Sequence, residues 1–141
     1  MKRVNIDILG CSEVRWPNSG HCKIDDYDVY HCGDTTTQNR NGVAMIVSKE
    51  VNNCVINFMG ISNRVALLKI NVKPFNINII QSYAPTSESS DQEIEIFYEQ
   101  LRTALKYTKK QEVNIPLGDF NAKVSRAKVL LAMLWEILAW E

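Results

Sequence analysis

The sequence predicts an α/β fold: short, mostly antiparallel strands, one amphipathic helix at about 91–110 and an extra C-terminal helix. Three observations carry this. Short apolar runs bounded by turn residues recur from Ile6 to Tyr83, the mark of buried strands. Strict alternation sets Leu68, Ile70 and Val72 against Lys69, Asn71 and Lys73, as a half-buried strand requires. After Ser90 the period changes, with Ile94, Phe97, Tyr98, Leu101 and Leu105 falling on one helical face.

In order, strands are expected at Ile6 to Cys11, Tyr27 to His31, Gly42 to Ser48, Cys54 to Met59, Arg64 to Val72 and Asn76 to Tyr83. The segments Pro17 to Gly20 and Gly33 to Asn41 read as loops, Gly60 to Asn63 and Pro74 as turns. The central strands form an antiparallel meander. Ser90 and Glu93 have capping-box spacing, and Lys106, Lys109 and Lys110 suit the negative end of the helix that follows. Pro116 is discordant in the next strand, because it lacks a ladder donor. From Arg126 onward the residues are strong helix formers, apolar nearly all round, with Trp135 and Trp140 among them. A helix of that kind is buried, binds something or aggregates.

With 141 residues the chain suits one domain and one core. Its 16 basic and 16 acidic residues cancel, which gives no support for a long-range field steering it onto nucleic acid and leaves room for a local basic patch. No apolar run is long enough to span a bilayer, and the start Met1-Lys2-Arg3 is not that of a signal peptide. The four cysteines match no common zinc spacing, even with His21 and His31 beside Cys22 and Cys32. They read as reduced intracellular thiols.

The stretch richest in chemistry is Val113 to Val124, where an apolar run breaks into Gly118-Asp119-Phe120-Asn121. Asp119 and Asn121 stand two apart at the mouth of a strand, so a carboxylate and an amide converge there. The same pattern fits an Asx turn without function. Glu13 also follows a strand end, and Tyr83 closes another.

Four motifs in order carry a resemblance: Asp7 to Glu13, Asn41 to Ala44, Ser82 to Thr86 and Gly118 to Val124. Together they resemble the endonuclease/exonuclease/phosphatase superfamily, and within it the apurinic-endonuclease-like domain of non-LTR retrotransposons. The resemblance covers about residues 1–125. It implies a DNase I-like two-sheet α/β sandwich, present in part, that cleaves phosphodiesters with Mg²⁺ or Mn²⁺ and acts on DNA. It implies Glu13 as metal ligand, Asp119 as the residue orienting the attacking water, Asn121 and Tyr83 as phosphate contacts, and Arg64 as a support. Such roles suit hard cations, which take oxygen ligands and keep several waters.

The chain also departs from the family. It begins after the strand that carries an asparagine near the metal, and no Asp or His follows Asn121, where the family keeps further aspartates and a histidine. The expected organisation is an incomplete domain at 1–125 and an unrelated apolar helical tail at 126–141. That tail is expected to dock on the sheet or, over 127–141, to promote self-association. The expected function is a catalytically impaired fragment of an endonuclease domain. The alternatives are a non-catalytic binding module and a phosphoesterase acting on non-nucleic-acid phosphates. No membrane contact is expected, and the compartment is intracellular, nuclear if the target is DNA.

Overall fold

The computed structural model describes residues 1–35, 41–86, 88–120, 132 and 135. Eight strands form two four-stranded sheets. The first holds β1 (Ile8–Ser12), β2 (Ser19–Ile24), β3 (Tyr27–Cys32) and β4 (Val43–Val47), in the order β1-β4-β3-β2, all antiparallel. The second holds β5 (Val55–Gly60), β6 (Val65–Ile70), β7 (Ile77–Tyr83) and β8 (Val113–Asp119). Its order is β5-β6-β7-β8. The run β5-β6-β7 is the expected antiparallel meander, and β8 joins β7 in parallel.

A parallel neighbour needs a crossover, and helix α2 (Asp91–Lys106) supplies it. Ser90 and Glu93 make the full capping box. The helix stops at Lys106, earlier than Lys110, because the Tyr107 carbonyl accepts from the Lys69 Nζ at 3.0 Å and Glu112 N–H turns back onto Lys109. Helix α1 (Lys49–Asn52) is a single turn capped by Ser48.

Two apolar layers result. Tyr30, Val43, Met45 and Val47 of the first sheet meet Ala66, Leu68, Ile79 and Tyr83 of the second. On the far face of the second sheet, Val65, Leu67 and Ile80 pack on Phe97, Leu101, Ala104 and Leu105 of α2. Alternation along β6 and β7 delivers these residues to opposite faces.

Strand β2 falls partly in the stretch read as a loop. Ser-Gly-His-Cys-Lys-Ile has no apolar alternation to betray it; pairing with β3 over Ser19 to Ile24 makes it a strand. Pro116 fits because β8 is an edge among the described residues. Val113 donates to Asn76 and Asp119 accepts from Ala84, so the odd-numbered residues bond β7 and the even-numbered ones, Pro116 among them, face the open side. Of the expected tail helix, Ala132 and Trp135 are helical; the rest of Arg126 to Glu141 lies outside the described residues, and so does Asn121. No helix among the described residues is long and apolar enough to cross a membrane.

Candidate functional site

Three of the expected residues meet where β1, β7 and β8 end. Tyr83 and Asp119 are register partners at the C-terminal ends of the parallel pair, and the Asp119 carbonyl accepts from Ala84 N–H at 2.9 Å. Glu13 arrives from the other sheet, one residue past β1. The Tyr83 hydroxyl donates to Glu13 Oε1 at 2.5 Å. Tyr83 is 5% exposed, whereas Glu13 and Asp119 are exposed carboxylates.

The backbone holds Glu13 in an unusual way. Its φ is 56°, a left-handed conformation that is uncommon outside glycine. Val14 N–H donates to Gly42 O at 3.3 Å and Arg15 N–H to Asn41 O at 2.9 Å. These bonds, with Tyr83 on the side chain, fix the turn from both sides. Strained residues persist where the surroundings over-determine them, often at functional sites.

Arg64 lies against Tyr83. Its Nη1 donates to the Tyr83 carbonyl at 3.1 Å, and its guanidinium sits 5.1 Å from the ring centroid, a cation–π distance. Burial pulls the Arg64 pKa below its ordinary value, while Tyr83 and Glu93 oppose the shift. The Tyr83 phenol is pushed up, first by its hydrogen bond to Glu13, then by burial and by the charge of Glu13. It therefore stays a donor at neutral pH.

Beside these residues runs a cleft of about 580 Å³, lined by Gly10, Ser12, Gln81, Leu117, Asp119 and Phe120 among others. Gln81 lies two residues before Tyr83 on the same face of β7. It is 1% exposed, and among the described residues its Oε1 has no partner. Sequence reasoning passed over this residue; the signal was a glutamine inside an apolar strand. Ser82, the first residue of the Ser82 to Thr86 motif, shares the opposite face of β7 with Ile80. A larger cleft of about 660 Å³ lies by Asp7, Asp26, Ser48 and Glu50 and contains none of the expected residues.

The carboxylates of Glu13 and Asp119 offer oxygen donors beside the Tyr83 hydroxyl. That set fits Mg²⁺ or Mn²⁺, which need only one or two protein carboxylates. It does not fit a soft metal, and among the described residues no three His, Cys, Asp or Glu side chains gather at one point. Neither histidine reaches the site. His21 on β2 bonds Asp28 at 2.7 Å and stacks on Tyr30, and His31 on β3 meets Trp16 edge-on.

No protein-family model matches the chain. It is 42% identical over 129 residues to craniofacial development protein 2 of Bos taurus, a match spanning 92% of this chain and 22% of that protein. The Tragulus javanicus protein of the same name matches at 42% with the same coverage. The chain thus spans about a fifth of the length of these curated relatives.

Among solved structures, an endonuclease/exonuclease/phosphatase family protein from Leptotrichia buccalis superposes with a TM-score of 0.59 at 14% identity, over 96% of this chain and 62% of that one. The endonuclease domain of TRAS1, a telomere-specific non-LTR retrotransposon, gives 0.55 at 18% identity, over 77% and 52%. A humanized D. rerio TDP2 gives 0.56 at 12%, over 92% and 58%. The superpositions give the chain the endonuclease/exonuclease/phosphatase, or DNase I-like, fold, and over the 129 residues they share it is a homologue of craniofacial development protein 2.

Proposed function

We propose that Glu13, Tyr83 and Asp119 form a divalent-cation and phosphate site that engages a DNA phosphodiester, and that cleavage there is weak in these 141 residues. The observation that carries this reading is the 2.5 Å bond from Tyr83 to Glu13, which joins the ends of two sheets beside Asp119. Glu13 is the carboxylate to hold Mg²⁺ or Mn²⁺. Asp119, exposed next to Tyr83, orients a water against the phosphate. The Tyr83 hydroxyl, kept protonated, donates either to Glu13 or to a phosphate oxygen. Arg64 supports Tyr83 through its ring and carbonyl. A bound divalent cation would supply charge neutralisation at the phosphate oxygens. Asn121 joins as a phosphate contact on the strength of the sequence resemblance. DNA is the favoured substrate because the motif resemblance is to retrotransposon endonucleases, and a fold neighbour is named as one.

Weak turnover is argued from the side-chain inventory. Neither histidine is at the site: His21 bonds Asp28 and His31 meets Trp16. One absent acid or base costs about 10²–10⁴ in rate, and a constellation missing several members keeps little activity.

Calorimetric titration with Mn²⁺ and nicking of supercoiled plasmid in Mg²⁺ test both parts. The expected results are one Mn²⁺ site that Glu13→Gln removes, and nicking no faster than that of Asp119→Ala. Mn²⁺ affinity unchanged in Glu13→Gln would overturn the site. Nicking that Asp119→Ala abolishes would overturn the weak-turnover part and make the chain an active endonuclease.

A further inference from the structure

Resting on that site, we propose that Gln81 is a positioning residue that fixes Glu13 through Ser12. Two consecutive inward-facing residues of β7 reach across to two consecutive residues at the end of β1. Tyr83 bonds Glu13, and Gln81 Nε2 donates to Ser12 Oγ at 3.4 Å. Gln81 and Ser12 are 69 residues apart, so this rung ties the two sheets together rather than closing a local turn.

The space for the amide is made by a glycine. A Cβ built on Gly10 would stand 2.0 Å from Gln81 Oε1 and 2.8 Å from its Cδ. The amide therefore occupies the space a side chain at Gly10 would take, its Oε1 foremost, and Gly10 is the register partner of Met45 on β4. An apolar residue would fill that space without leaving Oε1 unpartnered in a place 1% exposed, since burying an amide whose acceptor lacks a donor is unfavourable. The position carries an amide at that cost, and the amide touches the residue next to Glu13. Glu13 in turn occupies a left-handed backbone conformation that its own preference resists. The bonds of Val14 and Arg15 to the Asn41-Gly42 segment hold one side of this turn. The Gln81–Ser12 rung holds the other, at its entrance from β1.

The same reasoning separates Gln81 from a plain core residue. A filler contributes through volume, so Met, of similar shape and without hydrogen-bonding groups at its end, would replace it. A positioning residue is not replaced by Met, because the contact to Ser12 disappears.

Amide hydrogen exchange of the metal-free protein, together with Mn²⁺ titration, tests this. In Gln81→Met and in Ser12→Ala, the Val14 and Arg15 amides are expected to exchange about tenfold faster. The Tyr83 amide, bonded to Arg64 O, is expected to keep its rate. The double variant is expected to add nothing beyond either single one, as for two partners of a single contact. Mn²⁺ affinity is expected to fall at least about tenfold at unchanged melting temperature, as when a supporting residue behind a metal ligand is removed.

Val14 and Arg15 exchange within about twofold of wild type in both single variants would overturn the proposal. Should Gln81→Met fail to fold, Ser12→Ala, at a half-buried position, decides alone. The exchange measurement needs no metal. It judges Gln81 even if Mn²⁺ binds wild type and Glu13→Gln equally, a result that would remove the cation site instead.

Discussion

Protonating or neutralising Glu112 should loosen the junction that delivers β8 to the site. This side chain is 4% exposed and takes hydrogen bonds from two strands and from the turn after α2. Lys69 Nζ on β6 lies 3.1 Å from both carboxylate oxygens, Asn78 Nδ2 on β7 donates at 2.8 Å, and Lys109 N–H, just past α2, donates at 2.9 Å. Asn78 itself is fully buried and also donates to Asn114 on β8 at 2.9 Å. Burial alone would raise the Glu112 pKa. The hydrogen bonds from Asn78, Lys109 and Lys69, with the Lys69 charge, outweigh it and bring it from 4.5 down to about 2.

The folded value lies below the unfolded one, so the carboxylate stabilises the fold above the unfolded pKa of 4.5 and ceases to as pH falls toward about 2. The difference corresponds to about 3 kcal/mol at pH 7. Urea unfolding of wild type and Glu112→Gln at steps from pH 7 to pH 2 reads it directly. At pH 7 the variant is expected to be less stable by about 2–3 kcal/mol, because Lys69 loses its carboxylate and keeps only the Tyr107 carbonyl. The gap should close between about pH 5 and pH 2. A gap that stays constant across that range would refute the reasoning, since the loss would then be one of packing and not of charge.

Two further outcomes follow from backbone geometry. Gly118 has φ 147°, and a Cβ there would stand 1.8 Å from Ser82 O; Gly118→Ala should cost more than about 2 kcal/mol, and a loss under about 0.5 kcal/mol on thermal melting would show that the turn relaxes freely. Ser90→Ala removes the acceptor for Glu93 N–H, which lies 3.2 Å away, and should cost about 1 kcal/mol; an unchanged denaturation midpoint would mean that the capping box adds nothing to α2.

Legibility in the sequence followed the range of the interactions. Helix α2 was readable because its signals are local: the cap, the apolar spacing and the terminal lysines lie within it. The alternating strands β6 and β7 were readable for the same reason, and the resemblance identified Glu13, Tyr83 and Asp119 as one group. What escaped depended on partners far along the chain. Strand β2 exists through β3, and Pro116 is harmless only because β8 is an edge, which no local pattern tells. Arg64 could be named as a support, but its position over the Tyr83 ring follows from the meeting of β6 and β7. Gln81 looked like any polar residue in a strand. Its burial depends on Gly10, whose missing side chain leaves the room.

The two halves of the site rest on unequal foundations. Tyr83 and Asp119 are neighbours in one sheet, held by parallel β7–β8 pairing and by the α2 crossover that packs on it. Any chain that folds the second sheet brings these two together. Glu13 belongs to the other sheet. Its place depends on the facing of β1 over β7 and β8, on a left-handed turn and on two side-chain contacts, from Tyr83 and through Ser12. Among the described residues both β1 and β8 are edge strands with one neighbour each, so there the seam where Glu13 meets Tyr83 is secured by strand pairing on one side only. Edge elements open at lower free energy than central ones. The half of the site proposed to bind a cation is therefore the part expected to be most sensitive to mutation. A change at Ser12 or Gln81 should lower cation affinity well before it affects the pairing that holds Tyr83 beside Asp119.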